Sequence, residues 1–488
     1  MPPFPRGATS SSSSSASSLH HLHRLHLHLH GLLRSFATSA VGSVWSFGDN
    51  SNGAVGDLPP LVDAYEPLRV PSLPSSAIAS LAAGHYHSLA VAADGHLWSW
   101  GRNAESQLGR PSLRETWSIP QRVVGLDNVK VRAAAASGVV SAAIGDDGSL
   151  WVWGRSKRGQ LGLGREITEA TKPCRVEALA GHDVVKVLML FLEKKLLLFP
   201  MTTEKESLFT IPCLSSLNGI DQSLIRMGHA FALTKDGKLF GWGYSEDGRL
   251  GQMGQIFDTT SKHPPDLDKH RDKSKSMLEI VEELVAERIE REDNMPIIWE
   301  PSLIRELSDI NVSDVSCGLD HSLVLCCDGT LLSCGDNTYG QLGRTTEGSK
   351  LLPVETNFNF KPLSVSAGLG HSLLLCKTES EHENKSNAVL SWGWNRSSQL
   401  GRQGQEGIPL SVEGLSGEDP IAVSAGRVHS IVLTSKGEVW VWGSGRNGRL
   451  GLGSSTDEAE PALLECLEGF QVLQAAAGFD HNLLLVAE

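Results

Sequence analysis

The chain has 488 residues, with 50 Gly, 22 Pro, 20% charged residues and 6% aromatics, and glycine lies above its usual share of about 7%. No apolar run reaches the roughly 18 residues that a membrane-spanning helix needs, and a 40% hydrophobic content with no glycine triplet period excludes collagen and wholesale disorder. The formal charge is −13, and because residues 1–48 hold Arg6, Arg24 and Arg34 but no acid, −16 falls on the remainder. Such a surface repels phosphate backbones, so direct nucleic-acid binding is not expected and basic proteins are the easier partners.

Residues 1–43 stand apart. They are Ser-rich, Arg-bearing and free of acid, which is the chemistry of an organelle transit peptide. No apolar core of a secretory signal is present, and Arg34-Ser35-Phe36-Ala37 reads as a processing region for mitochondrial import, with a chloroplast address as the alternative. Histidines 20, 21, 23, 26, 28 and 30 alternate with leucine inside this leader and read as low complexity rather than a metal tract. The expected domain division is therefore a leader, 1–43, and a single repeat domain, 44–488.

From Val44 one pattern recurs seven times: VWSFGDNSNGAVG (44–56), LWSWGRNAESQLG (97–109), LWVWGRSKRGQLG (150–162), LFGWGYSEDGRLG (239–251), LLSCGDNTYGQLG (331–343), LSWGWNRSSQLG (390–401) and VWVWGSGRNGRLG (439–451). Each reads as a short strand ending in glycine, then a polar turn, then an apolar residue and glycine. The strand-end glycines are Gly48, Gly101, Gly154, Gly243, Gly335, Gly393 and Gly443, spaced by 53, 53, 89, 92, 58 and 50 residues.

A companion motif, AGHYHSLAVAADG at 83–95 and its relatives, precedes most copies. His87, His229, His321 and His429 each stand 14 residues before a strand-end glycine, Val140 takes that place in one copy, and His371 and His481 mark the remaining histidine strands. Ala82-Ala83-Gly84 and Ala133 to Ala136 suit an innermost strand crowded at an axis. The pattern implies four antiparallel strands per unit and a period near 50, hence an all-β propeller. The final histidine strand, 477–487, lacks an aromatic partner while Val44 opens an aromatic strand lacking its histidine strand, so the two are expected to close one shared blade.

These motifs resemble the regulator of chromosome condensation repeat, whose unit is similar to GxxHSxxLxxxGxVxxWGxNxxGQLG, over about residues 44–488. The resemblance implies seven blades, although VVKVLMLFLEKKLLLF (184–199), in the 89-residue interval, leaves an eighth open. A charged insert, 258–296, is expected to carry a helix over SMLEIVEELVAERIERED (276–293), with Leu278, Val281, Val285 and Ile289 on one face. Its acids Glu279, Glu282, Glu283, Glu287 and Glu290 form a candidate surface for docking a partner, beside the simpler reading of a cover over a blade edge.

No catalytic constellation emerges. The histidines share one place in successive repeats and so are spread around a ring, where packing or a turn hydrogen bond explains them; His85, beside Tyr86 and His87, reads as surface decoration. GQLGLG (159–164) and GRLGLG (448–453) lack the GK[ST] and helix start of a phosphate loop. Eight cysteines at 174, 213, 317, 326, 327, 334, 376 and 466 form no CxxC pair and read as free thiols, with no zinc site and no cofactor. The family's ultraviolet-B photoreceptor branch carries a GWRHT form of the histidine motif, and the copies here read GHYHS, GLDHS, GLGHS, GRVHS and GFDHN. The resemblance, with the leader, is greatest to mitochondrial members of plant type. It implies a non-enzymatic adaptor in mitochondrial transcript splicing and respiratory complex I biogenesis, partnered by proteins of organelle RNA processing. The alternative is guanine nucleotide exchange on a small or dynamin-type organellar GTPase.

Overall fold

The computed structural model describes residues 42–56, 62–73, 77–193, 226–251, 296–346, 350–355, 360–378 and 387–487. Residues 1–41, and 252–295 with the expected helix and its five glutamates, lie outside the described residues. Seven four-stranded antiparallel sheets form a ring. Blades 1 to 6 run in chain order over residues 78–122, 131–175, 184–303, 312–353, 360–411 and 420–463, and blade 7 joins 472–487 to 42–69.

The two terminal strands close one shared blade, as expected. Gly42–Gly48 pairs residue by residue with His481–Ala487, from Gly42↔Ala487 to Gly48↔His481. The strand thus starts two residues ahead of Val44. It leaves no unpaired edge on either shared strand, because Ala64–Arg69 and Val472–Ala477 complete the blade.

The possible eighth blade resolves into blade 3. Val184–Glu193 is the innermost strand of that blade and pairs with Arg226–Thr234 from Val184↔Thr234 to Glu193↔Arg226. The surplus spacing therefore falls in the connection between these two strands, and the described residues form seven sheets. The second interval, between Leu239–Tyr244 and Ile297–Leu303, is likewise a connection within blade 3.

Burial follows strand position. The second strand of a blade is covered on both faces by its neighbours, so His87–Ala92, Val140–Gly145, His321–Cys326 and His429–Thr434 are buried throughout. On the third strands Trp100, Trp153, Trp242, Trp392 and Trp442 are fully buried, whereas Trp98, Trp151 and Trp440, two residues earlier in blades 1, 2 and 6, are only partly covered. The core is divided among the seams between blades. One cluster, for example, joins Ile431, Leu433, Val441 and Leu450 of blade 6 to Phe47, Leu484 and Val486 of blade 7. Truncating one such buried indole would cost about 3–5 kcal/mol.

Candidate functional site: interblade latches and the axial mouth

In every blade the histidine position of the second strand pairs with the repeat glycine at or next to the end of the third: His87↔Gly101, Val140↔Gly154, His229↔Gly243, His321↔Gly335, His371↔Gly393, His429↔Gly443 and His481↔Gly48. At Gly154 φ is +112°, and a Cβ there would lie 2.1 Å from the Val139 carbonyl oxygen. Gly443 repeats this, with φ +104° and 2.6 Å to the Val428 carbonyl. Both the backbone conformation and the close approach require glycine.

Each histidine reaches the next blade. His87 Nε2 lies 2.7 Å from Ser141 Oγ, His229 2.7 Å from Ser322, His321 3.0 Å from Ser372, His371 3.1 Å from Ser430, and His481 2.8 Å from Ser88. His429 meets Asn482 Oδ1 at 2.8 Å. The tautomer follows from the acceptors. Each serine hydroxyl already donates to a carbonyl of the preceding blade's turn (Ala54, Gln107, Arg249, Gln341 or Gln399), and Asn482 Nδ2 donates to Arg449. The imidazole must therefore supply the proton from Nε2.

The same carbonyls accept a second bond from the third-strand indoles Trp100, Trp153, Trp392 and Trp442, while Trp242 Nε1 takes Gln160 O at 2.8 Å. The Gln-Leu-Gly turn of one blade thus plugs into the next. Burial holds these imidazoles neutral, with pKa pushed down to about 3 for His87, His371 and His429, to about 4 for His321 and His481, and well below 6.5 for His229.

Before five of the six ring histidines the residue three earlier is a glycine packed against the imidazole, Gly84, Gly318, Gly368, Gly426 and Gly478, whereas Arg226 takes that place before His229. A Cβ on Gly318 would stand 2.0 Å from the His321 ring, and one on Gly426 2.1 Å from His429. Where Val140 replaces histidine, this constraint lapses and Ser137 occupies the place, donating to the Val140 carbonyl at 3.0 Å.

A second seam chemistry escaped the sequence reading. Arg249, almost wholly buried, pairs with Asp320 of blade 4 at 2.9 Å, and Arg449 with Asp480 of blade 7 at 2.9 Å. At the positions that correspond in the repeat, blades 1 and 5 have Gln107 and Gln399, and blades 2 and 6 have Val139 and Val428. The sequence signal was there: arginine before Leu-Gly in two copies, and aspartate before the histidine one blade later.

His85 corrects the reading of surface decoration. It is buried at the axis, stacked on Phe479 with centroids 4.1 Å apart, and neither ring nitrogen has a hydrogen-bond partner. Around it the loops between inner and second strands bond blade to blade: Leu319 N to Leu369 O, Leu369 N to Arg427 O, Arg427 N to Phe479 O, Phe479 N to Gly84 O and His85 N to Ser137 O. On this same face, by strand direction, lie both ends of the blade 3 connection 194–225 and the return of 252–295 at the strand Ile297–Leu303. Among the described residues no group of three His, Cys, Asp or Glu is placed to hold a metal ion, and no helix is long and apolar enough to cross a membrane.

Comparison with known proteins agrees with this architecture. The family model for the RCC1-like domain matches residues 202–484, more than half of the chain, and that for the regulator of chromosome condensation (RCC1) repeat matches 41–91, 94–144 and 147–188. The chain is 27% identical over 392 residues to human E3 ubiquitin-protein ligase HERC2, a match covering 79% of this chain but 6% of HERC2. It is 38% identical over 149 residues to the mitochondrial RCC1 domain-containing protein RUG3 of Arabidopsis thaliana, covering 30% of this chain and 33% of RUG3. The crystal structure of Prp20p from Saccharomyces cerevisiae shares the fold, with TM-score 0.66, 20% identity and 93% of each chain covered. With its seven blades, its glycine and histidine register and these matches, the chain belongs to the regulator of chromosome condensation (RCC1) repeat family.

Proposed function

We propose that this propeller is a non-enzymatic adaptor of the mitochondrion, serving transcript splicing and, through it, the biogenesis of respiratory complex I. The observation that carries the adaptor reading is where the repeated polar side chains point. The ring histidines, their serine acceptors and the buried arginines of the turns are committed to joining blades, which leaves the loops of the ring as the working surface. Blade 3 concentrates that surface, since its connection 194–225 starts and ends on the face of the histidine loops, and 252–295 returns to that face at the strand Ile297–Leu303. Glu279, Glu282, Glu283, Glu287 and Glu290 fall within the second connection and are the first docking residues to test. The acid-free leader, taken to end before the strand at Gly42, and the likeness to RUG3 support the address.

The test is affinity purification of the tagged full chain from isolated mitochondria, with and without ribonuclease, alongside splicing assays in cells lacking the protein. RNA-processing proteins retained after ribonuclease, together with unspliced organelle transcripts in the mutant, are expected. Normal splicing would overturn the role, and tight binding of bare transcript at physiological salt would overturn the electrostatic argument. The competing reading is guanine nucleotide exchange on an organellar GTPase, raised by the shared fold with Prp20p, which binds Gsp1p. Accelerated GDP release from a co-purified GTPase would select it.

A further inference from the structure

Every buried ring histidine spends its Nε2 on a neighbouring blade, but His85 spends neither nitrogen. Only 6% exposed, it lines an axial cavity of about 60 Å³ with Gly84, Ser137, Met189, Leu369, Arg427 and Phe479 among its neighbours. That is room for several waters, or for one group of a few heavy atoms. The wall is otherwise alanine, glycine and apolar side chains, and Ser137 Oγ is already bonded to Val140 O. Water, which needs two to four polar partners, is poorly served there. Leaving a buried donor and acceptor unmade costs about 1–3 kcal/mol for each group, so the position is better occupied than empty.

The charge beside His85 indicates the occupant. Asp480 is shared by two guanidiniums, Arg449 at 2.9 Å and Arg427 at 3.3 Å. Arg427 is the looser partner and is 42% exposed, lying over the Phe479 ring at 4.7 Å while His85 stacks on that ring at 4.1 Å. The Phe479 ring thus carries, at the cavity, an imidazole with unused nitrogens and a guanidinium whose bond through Nη1 goes to Asp480, the one carboxylate already beside it. We propose that the axial cavity is a binding site for a single carboxylate group, which accepts hydrogen bonds from Arg427 and from a ring N–H of His85. The carboxylate comes either from a small free acid or from an acidic side chain that a partner inserts along the axis. Charge-assisted bonds of this kind are about twice as strong as neutral ones. An anion against the ring also favours its protonated form, opposing the burial and the Arg427 charge that otherwise push the pKa down to about 3.

The experiment uses the full chain with 15N-labelled histidine, titrated at pH 7 with sodium acetate and, separately, with an end-blocked pentapeptide containing one central glutamate. A saturable shift of the His85 ring nitrogens, with the six latch histidines unmoved, is expected. A response to acetate alone assigns the site to small acids; a response to the peptide, with or without acetate, assigns it to a partner's side chain. Arg427→Gln, on the rim, should weaken either response about tenfold, the size of one charge-assisted contact. His85→Phe should keep the stack and melting temperature and abolish the response. No saturable shift at 100 mM of either probe overturns the proposal, as does a shift that survives in Arg427→Gln undiminished.

Discussion

Six seams of the ring are closed by a polar latch and one is not. Between blades 2 and 3 the histidine is Val140, and its acceptor position one blade on is Ala230 rather than serine; both are fully buried. The two losses occur together, although the residues are 90 apart in sequence. A lone imidazole would have faced a methyl group, and a lone serine would have lost its proton donor, each leaving a buried group unpaired. The apolar alternative gathers Val139, Val140, Ala142, Ala230, Ala232 and Trp242 into one core cluster. Polar latch and apolar plug are thus two self-consistent ways to close the same joint, and the mixed states are the costly ones.

Acid should separate the two with the largest effect. His85 and the six latch histidines have pKa values depressed by burial, whereas in the unfolded chain they titrate near 6.5. Stability is therefore fully present above pH 6.5. It falls as the pH drops from there towards 3–4, because only the unfolded chain takes up protons in that window. Each histidine costs about 1.4 kcal/mol per pH unit near pH 5. Melting temperature measured from pH 7.5 to 4.5 should fall steeply below 6.5, and hydrogen exchange at pH 5 should rise first at the latched seams. A flat profile would mean that the rings are not held neutral.

Next comes Gly154→Val at the strand end of blade 2. The added side chain meets the Val139 carbonyl at a φ that a β-branched residue tolerates badly, so a loss of roughly 4 kcal/mol or more is expected in urea unfolding. Unchanged stability would show that the apolar seam is slack enough to shift. Val140→His is the direct attempt to build half a latch there. Alone it should cost about 3 kcal/mol, through an unpaired imidazole pressed against Ser137. Adding Ser137→Gly and Ala230→Ser supplies the space and an acceptor whose own proton can go to Gln160 O, and most of the loss should return. A triple variant no better than the single would sink the latch as a transferable unit.

His321→Ala removes half of an existing latch and should cost about 2–3 kcal/mol: a cavity and one hydrogen bond, while Ser372 keeps its bond to the Gln341 carbonyl. Calorimetry of the variant checks this, and a loss as large as that of Gly154→Val would contradict the ordering.

This graded picture shows what was legible in the sequence. Seven repetitions of the glycine strand multiplied one weak signal until ring, closure and strand order could be read, and the fully buried tryptophans followed from the same strands. Val184–Glu193 was ambiguous because its partner strand lies beyond the 194–225 connection, and strand pairing across such a gap leaves no local mark. The Val140/Ala230 compensation and the burial of His85 were hidden for a related reason. Each depends on which blade stands next in space, and spacing along the chain reports only the blade a residue belongs to.

The smallest effect is expected where one kind of joint is converted wholly into another. Arg249 and Asp320 form a buried pair at the blade 3/4 seam, while at the blade 5/6 seam the corresponding repeat positions are Gln399 and Val428. Arg249→Gln alone should destabilise by up to about 3 kcal/mol, because Asp320 is left without its cation. The loss is capped there since Asp320 keeps 24% of its side chain exposed. Arg249→Gln with Asp320→Val removes both charges together, and exchanging a buried pair for packed neutral groups is often neutral. The double variant should therefore unfold within about 1 kcal/mol of the parent, with a coupling energy of at least about 2 kcal/mol in the cycle, since Asp320→Val alone also strands a buried charge. The backbone carbonyl of residue 249, which accepts from Ser322, is untouched by either change, so the histidine latch beside it persists. If the double variant were as unstable as Arg249→Gln, the ion pair would be holding something that glutamine and valine do not hold at the blade 5/6 seam, and the seams would not be interchangeable parts.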